Sequence, residues 1–494
     1  MSLKQREGVL VDPHLRLNSR QIEIIDELSR KMLEDPGLIC YNAEATELFK
    51  KAGSEVTQES KFSRIKLKPG IIDKILETVP SKITLGARNP DNKLILDAHE
   101  PRVRFGSGSE TNVWLDMEFE NGKPAFKRTP GSIEKLKASA HLCDNLENLD
   151  FFIRNVNIQD DAVNKKNKDI NKYLAPANNI TKHIQAGLTD INALNDIIKA
   201  GHIIAGGEDD FKKNPVFSFI TCVVKSPLQV VQDTAEKLIA ISKRKVPVVI
   251  SSCPMGGATG AFDEFGIVAQ INAELLAGIA INQLASPGAP VLYGAVPVRT
   301  RLDNLQDMYG APEFVQYNIG CAQMARHYGI PCYSTAGVGD TAEPGIQATM
   351  EKMLTLSTVP MGGAQYIHYA FGLLERTNTF CPQQAVLDNE YIGMIKHMLT
   401  PADINEKNAE KVHALMKEVM MTDHKTFVYN LPIPTVDPVY PCYMLEEKEE
   451  NGGTLAAADR KYREISEKPR NTLDSKTVKS LRNSIEGILP GTLD

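Results

Sequence analysis

Between Val246 and Gly294 the chain spells out one complete strand–loop–helix–strand unit, and that unit restricts the fold to architectures built on a parallel sheet. Val246-Pro247-Val248-Val249-Ile250 is short, apolar and β-branched, as expected of a strand buried on both faces. It empties into the small and polar residues 251–260, before a long helical stretch over Phe262–Ala285. Pro287-Gly288 stops that helix, and Pro290–Tyr293 is the next buried strand. In such sheets chemistry gathers at the carboxyl ends of the strands, so residues 251–259 and 293–301 are candidate walls of a site.

The same rhythm runs from about residue 103. Candidate strands are Val103–Phe105, Phe151–Arg154, Lys182–Gln185, Phe217–Val223, Val246–Ile250, Pro290–Tyr293, Cys332–Thr335 and Gln365–His368. Helical stretches between and after them include Ser132–Cys143, Ile191–Ala205, Pro227–Ser242, Phe262–Ala285, Pro312–Tyr328, Gly345–Thr355 and Gln383–Leu399. Eight strands, most followed by a helix, predict an α/β fold, a (β/α)8 TIM barrel over residues 101–400. The first strand is the weakest member and could belong to the N-terminal layer instead. A doubly wound open sheet is the alternative architecture, disfavoured because no G-x-G-x-x-G follows an early strand.

Residues 1–100 are expected to form a mixed N-terminal extension. Asn18 can cap a helix over Gln21–Leu33, Ile71–Val79 is a short helix, and Lys82–Leu85 with Lys93–Asp97 suggests a hairpin around Asn89-Pro90-Asp91-Asn92. Residues 401–494 form a charged, helical C-terminal extension, interrupted by the proline-rich segment Leu431–Pro441 and a loop at Glu446–Gly453.

A net charge of −6 disfavours nucleic acid or an anionic membrane as partner. No apolar run is expected to reach the length of a membrane span, and MSLKQREGVLVDP lacks an apolar signal core, so the cytoplasm is the expected location. The eight cysteines are dispersed with no C-x-x-C, which argues against a disulfide framework or a zinc knuckle. H-E-x-x-H and G-x-S-x-G are absent, and no Lys-Ser/Thr follows Gly256-Gly257, so no metal site and no P-loop are expected.

Each predicted strand end offers different chemistry. Ser107, Ser109 and Glu110 follow the first, and Asn155 and Asn157 the second. His183 and Gln185 mark the third, Thr221 and Cys222 the fourth, and Ser251, Ser252 and Cys253 the fifth. Tyr293, Arg299 and Arg301 belong to the sixth, Asp340 and Glu343 to the seventh, and His368, Tyr369 and Phe371 to the eighth. Bland alternatives stand beside these. A lone strand histidine is more often a hydrogen-bonded core residue than a catalyst. Cys253, with no histidine near it in sequence, fits an inert packed thiol better than a nucleophile. Asn272 and Glu274 can simply face another helix, and Glu343-Pro344-Gly345 is a good helix start whatever its function.

The blocks SSCPMGGATG, INAELLAGI, SPGAPVLYG, GVGDTAEPGIQATMEK, GAQYIHYAFGLLE and VLDNEYIG together resemble the trimethylamine methyltransferase superfamily over roughly residues 100–400. The resemblance implies a (β/α)8 barrel and methyl transfer from a methylated amine to the cobalt of a corrinoid (cobalamin). That corrinoid is held on a separate small protein, so no tightly bound cofactor is implied here. The trimethylamine enzymes carry pyrrolysine near the loop that here reads Ala336–Gln347, whereas this chain has only standard residues. It therefore resembles the non-pyrrolysine branch, which includes the glycine betaine:corrinoid methyltransferases.

A leaving-group argument fits that branch. A neutral tertiary amine would have to expel an amide anion; a quaternary ammonium leaves as a neutral amine. On this reading Tyr293, Tyr369 and Phe371 can supply aromatic faces to the ammonium, and Glu110, Asp340 or Glu343 a negative field. Arg299, Arg301 and His368 can meet a betaine carboxylate, with His368 and Asp340 positioning rather than acting as acid or base. The expected partners are a cognate corrinoid protein and a small quaternary amine; a homo-oligomer is left open. A non-catalytic barrel that binds methylated amines, and a lyase or decarboxylase, are the alternatives.

Overall fold

A computed structural model describes residues 6–120, 123–426 and 453–494; the proline-rich segment Leu431–Pro441 and nearly all of the loop Glu446–Gly453 lie outside the described residues. Eight parallel strands form the centre: β1 (Arg102–Phe105), β2 (Phe151–Ile153), β3 (His183–Gly187), β4 (Phe217–Thr221), β5 (Val248–Ser252), β6 (Val291–Ala295), β7 (Cys332–Thr335) and β8 (Tyr366–His368). A helix follows each of them: α1 (Ile133–Asn145), α2 (Lys165–Ala177), α3 (Leu194–Ala205), α4 (Gln232–Lys243), α5 (Glu264–Ala285), α6 (Pro312–His327), α7 (Ile346–Met361) and α8 (Pro382–Leu399). The strands lie in the order β1-β8-β7-β6-β5-β4-β3-β2, with Val9–Leu10 added antiparallel to β1, making a nine-stranded sheet. This is a mixed α/β fold on one curled sheet. Its two far strands meet at a parallel bridge from Gly106 to Phe151, where Asp150 N donates to Phe105 O at 2.7 Å and Ser107 N to Phe151 O at 3.3 Å. The weakest predicted strand, the first, is thus a full member of the sheet, parallel to β8.

Side-chain alternation splits the strands into two apolar layers. Phe151, Ile153, Val249, Leu292, Tyr333 and Tyr366 share one cluster on the concave face, together with Ile83, Leu85, Leu94 and Leu96 of the antiparallel pair Lys82–Leu85/Leu94–Asp97. The predicted hairpin is therefore a plug. It sits at the amino ends of the strands, where Gly86 N donates to Pro215 O and Asn89 N to Thr181 O, both at 3.0 Å. Phe152, Ile184, Phe217, Phe219, Val248, Ile250 and Tyr293 point the other way, into the core beneath the helices.

The helix α5 is apolar on every side, because it is covered on every side. Asp263 caps it by accepting from Gly266 N at 2.9 Å. Its outer face receives the N-terminal helix Ser19–Glu34, where Ser29 Oγ donates to Ala269 O at 2.9 Å. Asn18 caps that N-terminal helix with a reciprocal capping box, as predicted. Among the described residues α5 alone would pass, by length and composition, for a membrane span, contrary to the expectation from sequence, but most of it is buried inside the fold.

Three features were not foreseen, and the helices of the expected C-terminal extension pack back on the α/β unit. An antiparallel trio, Leu38–Cys40, Glu55–Gln58 and Ser63–Lys66, extends through Gln229–Val230 into the loop after β4. A long hairpin, Val113–Glu120 with Lys123–Pro130, lies between β1 and α1. The helix α2 fills the gap between β2 and β3. In the C-terminal region, Gly453–Ser466 packs on α1 and α8, and Ser475–Ser484 on α3.

Candidate functional site

From the concave face, aromatic rings run outward toward the carboxyl ends of β7 and β8. Tyr366 stacks on Phe151 at 3.5 Å between centroids, and Tyr333 stacks on His368 at 4.8 Å. His368 lies 3.4 Å from the Tyr369 ring, and Tyr369 meets Tyr309 edge to face at 6.0 Å. Tyr369 and Tyr309 thus form the outer end of the ladder. Burial holds His368 in its neutral form and keeps the Tyr333 phenol protonated, and the Tyr333 hydroxyl is hydrogen-bonded to Nδ1 of His368 at 2.5 Å. Gly108 makes room for the ring: a Cβ there would fall 2.1 Å from Cδ2 of His368.

Beside the ladder sits Asp307, on the short strand Asp307–Met308 in the loop after β6. Its Oδ1 is buried, and no hydrogen bond reaches it among the described residues. Burial pushes its carboxyl above the ordinary value, with Arg376 pulling the other way. Burial chiefly raises the Cys253 thiol and the Tyr309 and Tyr369 phenols, and the charge of Asp307 adds to each. Cys222 and Cys253, at the ends of β4 and β5, keep accessible surface, and burial keeps both thiols protonated. Among the described residues no cluster of three metal-ligating groups occurs.

Two buried networks hold the loops that carry these groups. Glu274 of α5 accepts from Ser226 Oγ at 2.7 Å, Leu228 N at 3.2 Å, Gln270 Nε2 at 3.1 Å and Ser252 Oγ. It thereby ties the loop after β4 to the end of β5, and burial raises its carboxyl. Lys352 of α7 donates to Gly337 O at 2.5 Å and pairs with Asp388 of α8 at 3.0 Å, while Asp388 accepts from Gly372 N at 2.7 Å. That pair, wholly shielded from solvent, joins the loops after β7 and β8.

Of the residues nominated from sequence, Tyr369, His368 and Asp340 lie at or beside this site. Asp340 accepts from Tyr309 N and Gly310 N, both at 3.0 Å, and so fixes the loop bearing Tyr309 and Asp307. The structure moves His368 from the carboxylate-binding set to the buried ladder. Tyr293 is corrected outright: its side chain points away from the concave face, and its hydroxyl donates to Asn272 Oδ1 of α5 at 2.9 Å. Phe371 is fully buried in the core beneath the helices and offers no face to a ligand. Arg299 turns to the rim, its guanidinium 3.8 Å from the Phe262 ring centroid. Arg301 is exposed and paired with Asp303 at 2.6 Å, and Glu343 is exposed on its loop. His183 matches the bland alternative, buried with Nδ1 2.6 Å from Gly86 O and Nε2 2.7 Å from Ser218 Oγ.

Glu110 belongs to a separate rim cluster. It pairs with Arg154, and with Lys168 at 3.4 Å, beside the buried Lys172–Asp169 pair. Burial works to raise its carboxyl, but Arg154 and the lysines hold it down at about 2. A depressed carboxylate stabilises the fold above its unfolded value near 4.5 and loses that contribution as pH falls toward 2. Denaturant unfolding of Glu110→Gln between pH 5 and 2.5 should therefore show a shallower acid-side loss than the unaltered protein; parallel curves would exclude the ion pairs as its source.

Tyr309, Tyr333, Asp307 and Arg376 were missed. Asp307 and Tyr309 stand in the polar run RLDNLQDMYGAPEF, and Arg376 in LLERTN, neither of which carries a motif.

The sequence model of trimethylamine methyltransferases matches residues 10–426. The chain belongs to the trimethylamine methyltransferase family. Among its relatives are trimethylamine methyltransferases of Desulfitobacterium hafniense, 30% identical over 77% of this chain and 74% of that protein, and of Methanosarcina barkeri, 29% identical over 78% and 76%. A glycine betaine methyltransferase of Desulfitobacterium hafniense is 26% identical over 85% of this chain and 87% of its own length. Both kinds of relative take a methyl group from a methylated nitrogen compound, and family membership makes this chain a methyltransferase of that class.

Proposed function

We propose that this chain transfers a methyl group from a quaternary ammonium, glycine betaine or a close analogue, to the Co(I) of a corrinoid carried by a separate protein, at the mouth of a closed (β/α)8 barrel. The bridge between Gly106 and Phe151 supports closure. The observation that carries the substrate class is Asp307, a half-buried carboxylate whose buried Oδ1 has no hydrogen-bond partner among the described residues, two residues from Tyr309 of the Tyr309–Tyr369 pair. A quaternary ammonium donates no N–H hydrogen bond and is held by aromatic faces and a carboxylate's field. A primary or secondary ammonium would instead call for convergent acceptors.

The protein's part is positioning and exclusion of water. The rings hold the ammonium with one methyl group facing outward. The corrinoid supplies a Co(I) nucleophile; the methyl carbon bonds to cobalt while the C–N electron pair stays on nitrogen, which leaves as a neutral tertiary amine. No proton is required, in keeping with a neutral, buried His368 whose Nδ1 is engaged by Tyr333. The neutral thiols of Cys222 and Cys253 fit a mouth that must not alkylate itself, since the thiolate is the reactive form.

Purified protein mixed with Co(I) cobalamin should form methylcobalamin from glycine betaine or a close analogue and not from trimethylamine, followed by the change in corrinoid absorbance. Robust turnover of trimethylamine would overturn the leaving-group argument.

A further inference from the structure

The cleft between the loops after β6, β7 and β8 holds a positive charge that the protein leaves unneutralised. Arg376 is half-buried, and among the described residues its guanidinium makes no hydrogen bond and no ion pair. Its backbone is anchored, N to Gly339 O at 3.2 Å. Its φ of +52° lies between +49° at Glu375 and +75° at Thr377, a run of three left-handed residues with no glycine among them. That costly conformation presents Arg376 to a cleft of about 350 Å³ lined also by Asp340, Arg301 and Glu351.

Of the other charges lining the cleft, Glu313 makes no ion pair among the described residues, and the rest are engaged. Asp340 accepts from Tyr309 N and Gly310 N, Glu351 from Asp340 N at 2.7 Å and Gln347 Nε2 at 2.7 Å, and Arg301 is paired with Asp303. Asp307 does not itself line the cleft, but Met308 and Gly310, which flank it and Tyr309 on the same loop, do, and among the described residues Asp307 and Arg376 form no ion pair. Two opposite charges that do not pair with one another suit a ligand carrying both signs.

We infer that Arg376 is the carboxylate anchor of a zwitterionic substrate, whose ammonium lies against Asp307 and the Tyr309–Tyr369 pair. The inference rests on the quaternary-amine reading above and narrows it. The preferred substrate is an N-trimethylated amino acid with its carboxylate close to nitrogen, rather than choline or a simple tetraalkylammonium. The planar guanidinium can take both carboxylate oxygens at once, which a lysine cannot.

Calorimetric titration of the full-length protein with glycine betaine, choline and tetramethylammonium, at one ionic strength, tests this. Arg376→Met should weaken glycine betaine roughly 30-fold or more while leaving the other two within about twofold. Arg376→Lys should recover part of the loss, and Arg376→Gln replaces the methionine variant should that one fail to fold. An equal loss for all three ligands would make Arg376 a structural residue, and undiminished glycine betaine binding would place the carboxylate elsewhere; either overturns the assignment alone. An unaltered protein that binds none of the three removes the quaternary-amine reading together with it.

Discussion

Replacing Lys352 with methionine should cost about 3–5 kcal/mol of unfolding free energy, the largest stability effect expected of any single exchange described for this chain. The reason is what remains behind. Asp388 is wholly buried, and its carboxylate would keep only Gly372 N and Gln384 Nε2 as partners. Burial already pushes the Asp388 carboxyl up and Lys352 opposes it, so the variant would take up a proton rather than hold an uncompensated charge. The Lys352→Met/Asp388→Leu pair should recover a good part of the loss, because removing both charges abolishes the desolvation penalty. Equilibrium denaturation of the three proteins decides it. A double variant as damaged as the single would mean that the hydrogen bonds to Gly337 and Gly372, rather than the ion pair, hold the loops after β7 and β8.

Asp307→Asn should act in the opposite sense on stability and severely on binding. In the free protein it removes a carboxylate that burial disfavours and whose buried Oδ1 has no hydrogen-bond partner among the described residues, so the variant should be at least as stable as the unaltered protein. Its affinity for every quaternary ammonium, carboxylated or not, should fall by about 2 kcal/mol or more, close to 30-fold. That pattern separates Asp307 from Arg376, whose loss touches carboxylated ligands alone. Because burial raises the Asp307 carboxyl, binding to the unaltered protein should also fade on the acid side sooner than an ordinary aspartate would allow. A stabilised variant that binds tetramethylammonium undiminished would leave the site without its counter-charge and remove the cation reading of the aromatic ladder.

The alternation of strands and helices was legible because most strands of the sheet are buried runs with apolar residues, bounded by turn residues. All eight predicted strands overlap observed ones, down to the short Tyr366–His368. What could not be read was which way a strand faces. In a strand buried on both sides the apolar pattern is continuous, so Tyr293 of β6 and Tyr333 of β7 look alike in sequence. One residue of parity sends Tyr293 to Asn272 under the helices and Tyr333 to His368 on the concave face. Polar elements escaped for a different reason. The helix α2 opens as KKNKDINKY and looks like a loop, yet Asp169 is buried accepting from Thr189 N and Asp190 N, and Asn171 donates to Gly487 O at 2.8 Å. Tertiary contacts, not periodicity, hold it. The strand Lys123–Pro130 has little buried surface of its own and so shows no inside and outside. Asp307 and Arg376 are informative only through what they lack, and an absent partner leaves no trace in a sequence.

The plug formed by Lys82–Leu85 and Leu94–Asp97 bears on the order of events. With the amino ends of the strands stoppered by Ile83, Leu85, Leu94 and Leu96, the site described here opens at the opposite end. On the proposed reaction, one doorway then serves the small methyl donor, the bulky methyl acceptor and the departing amine. The donor must enter first, the acceptor must close over it, and the demethylated amine can leave only once the acceptor has withdrawn. Traffic of that kind is compulsory-order, and an acceptor that arrives early is an obstruction: raising its concentration at low donor should slow turnover instead of speeding it.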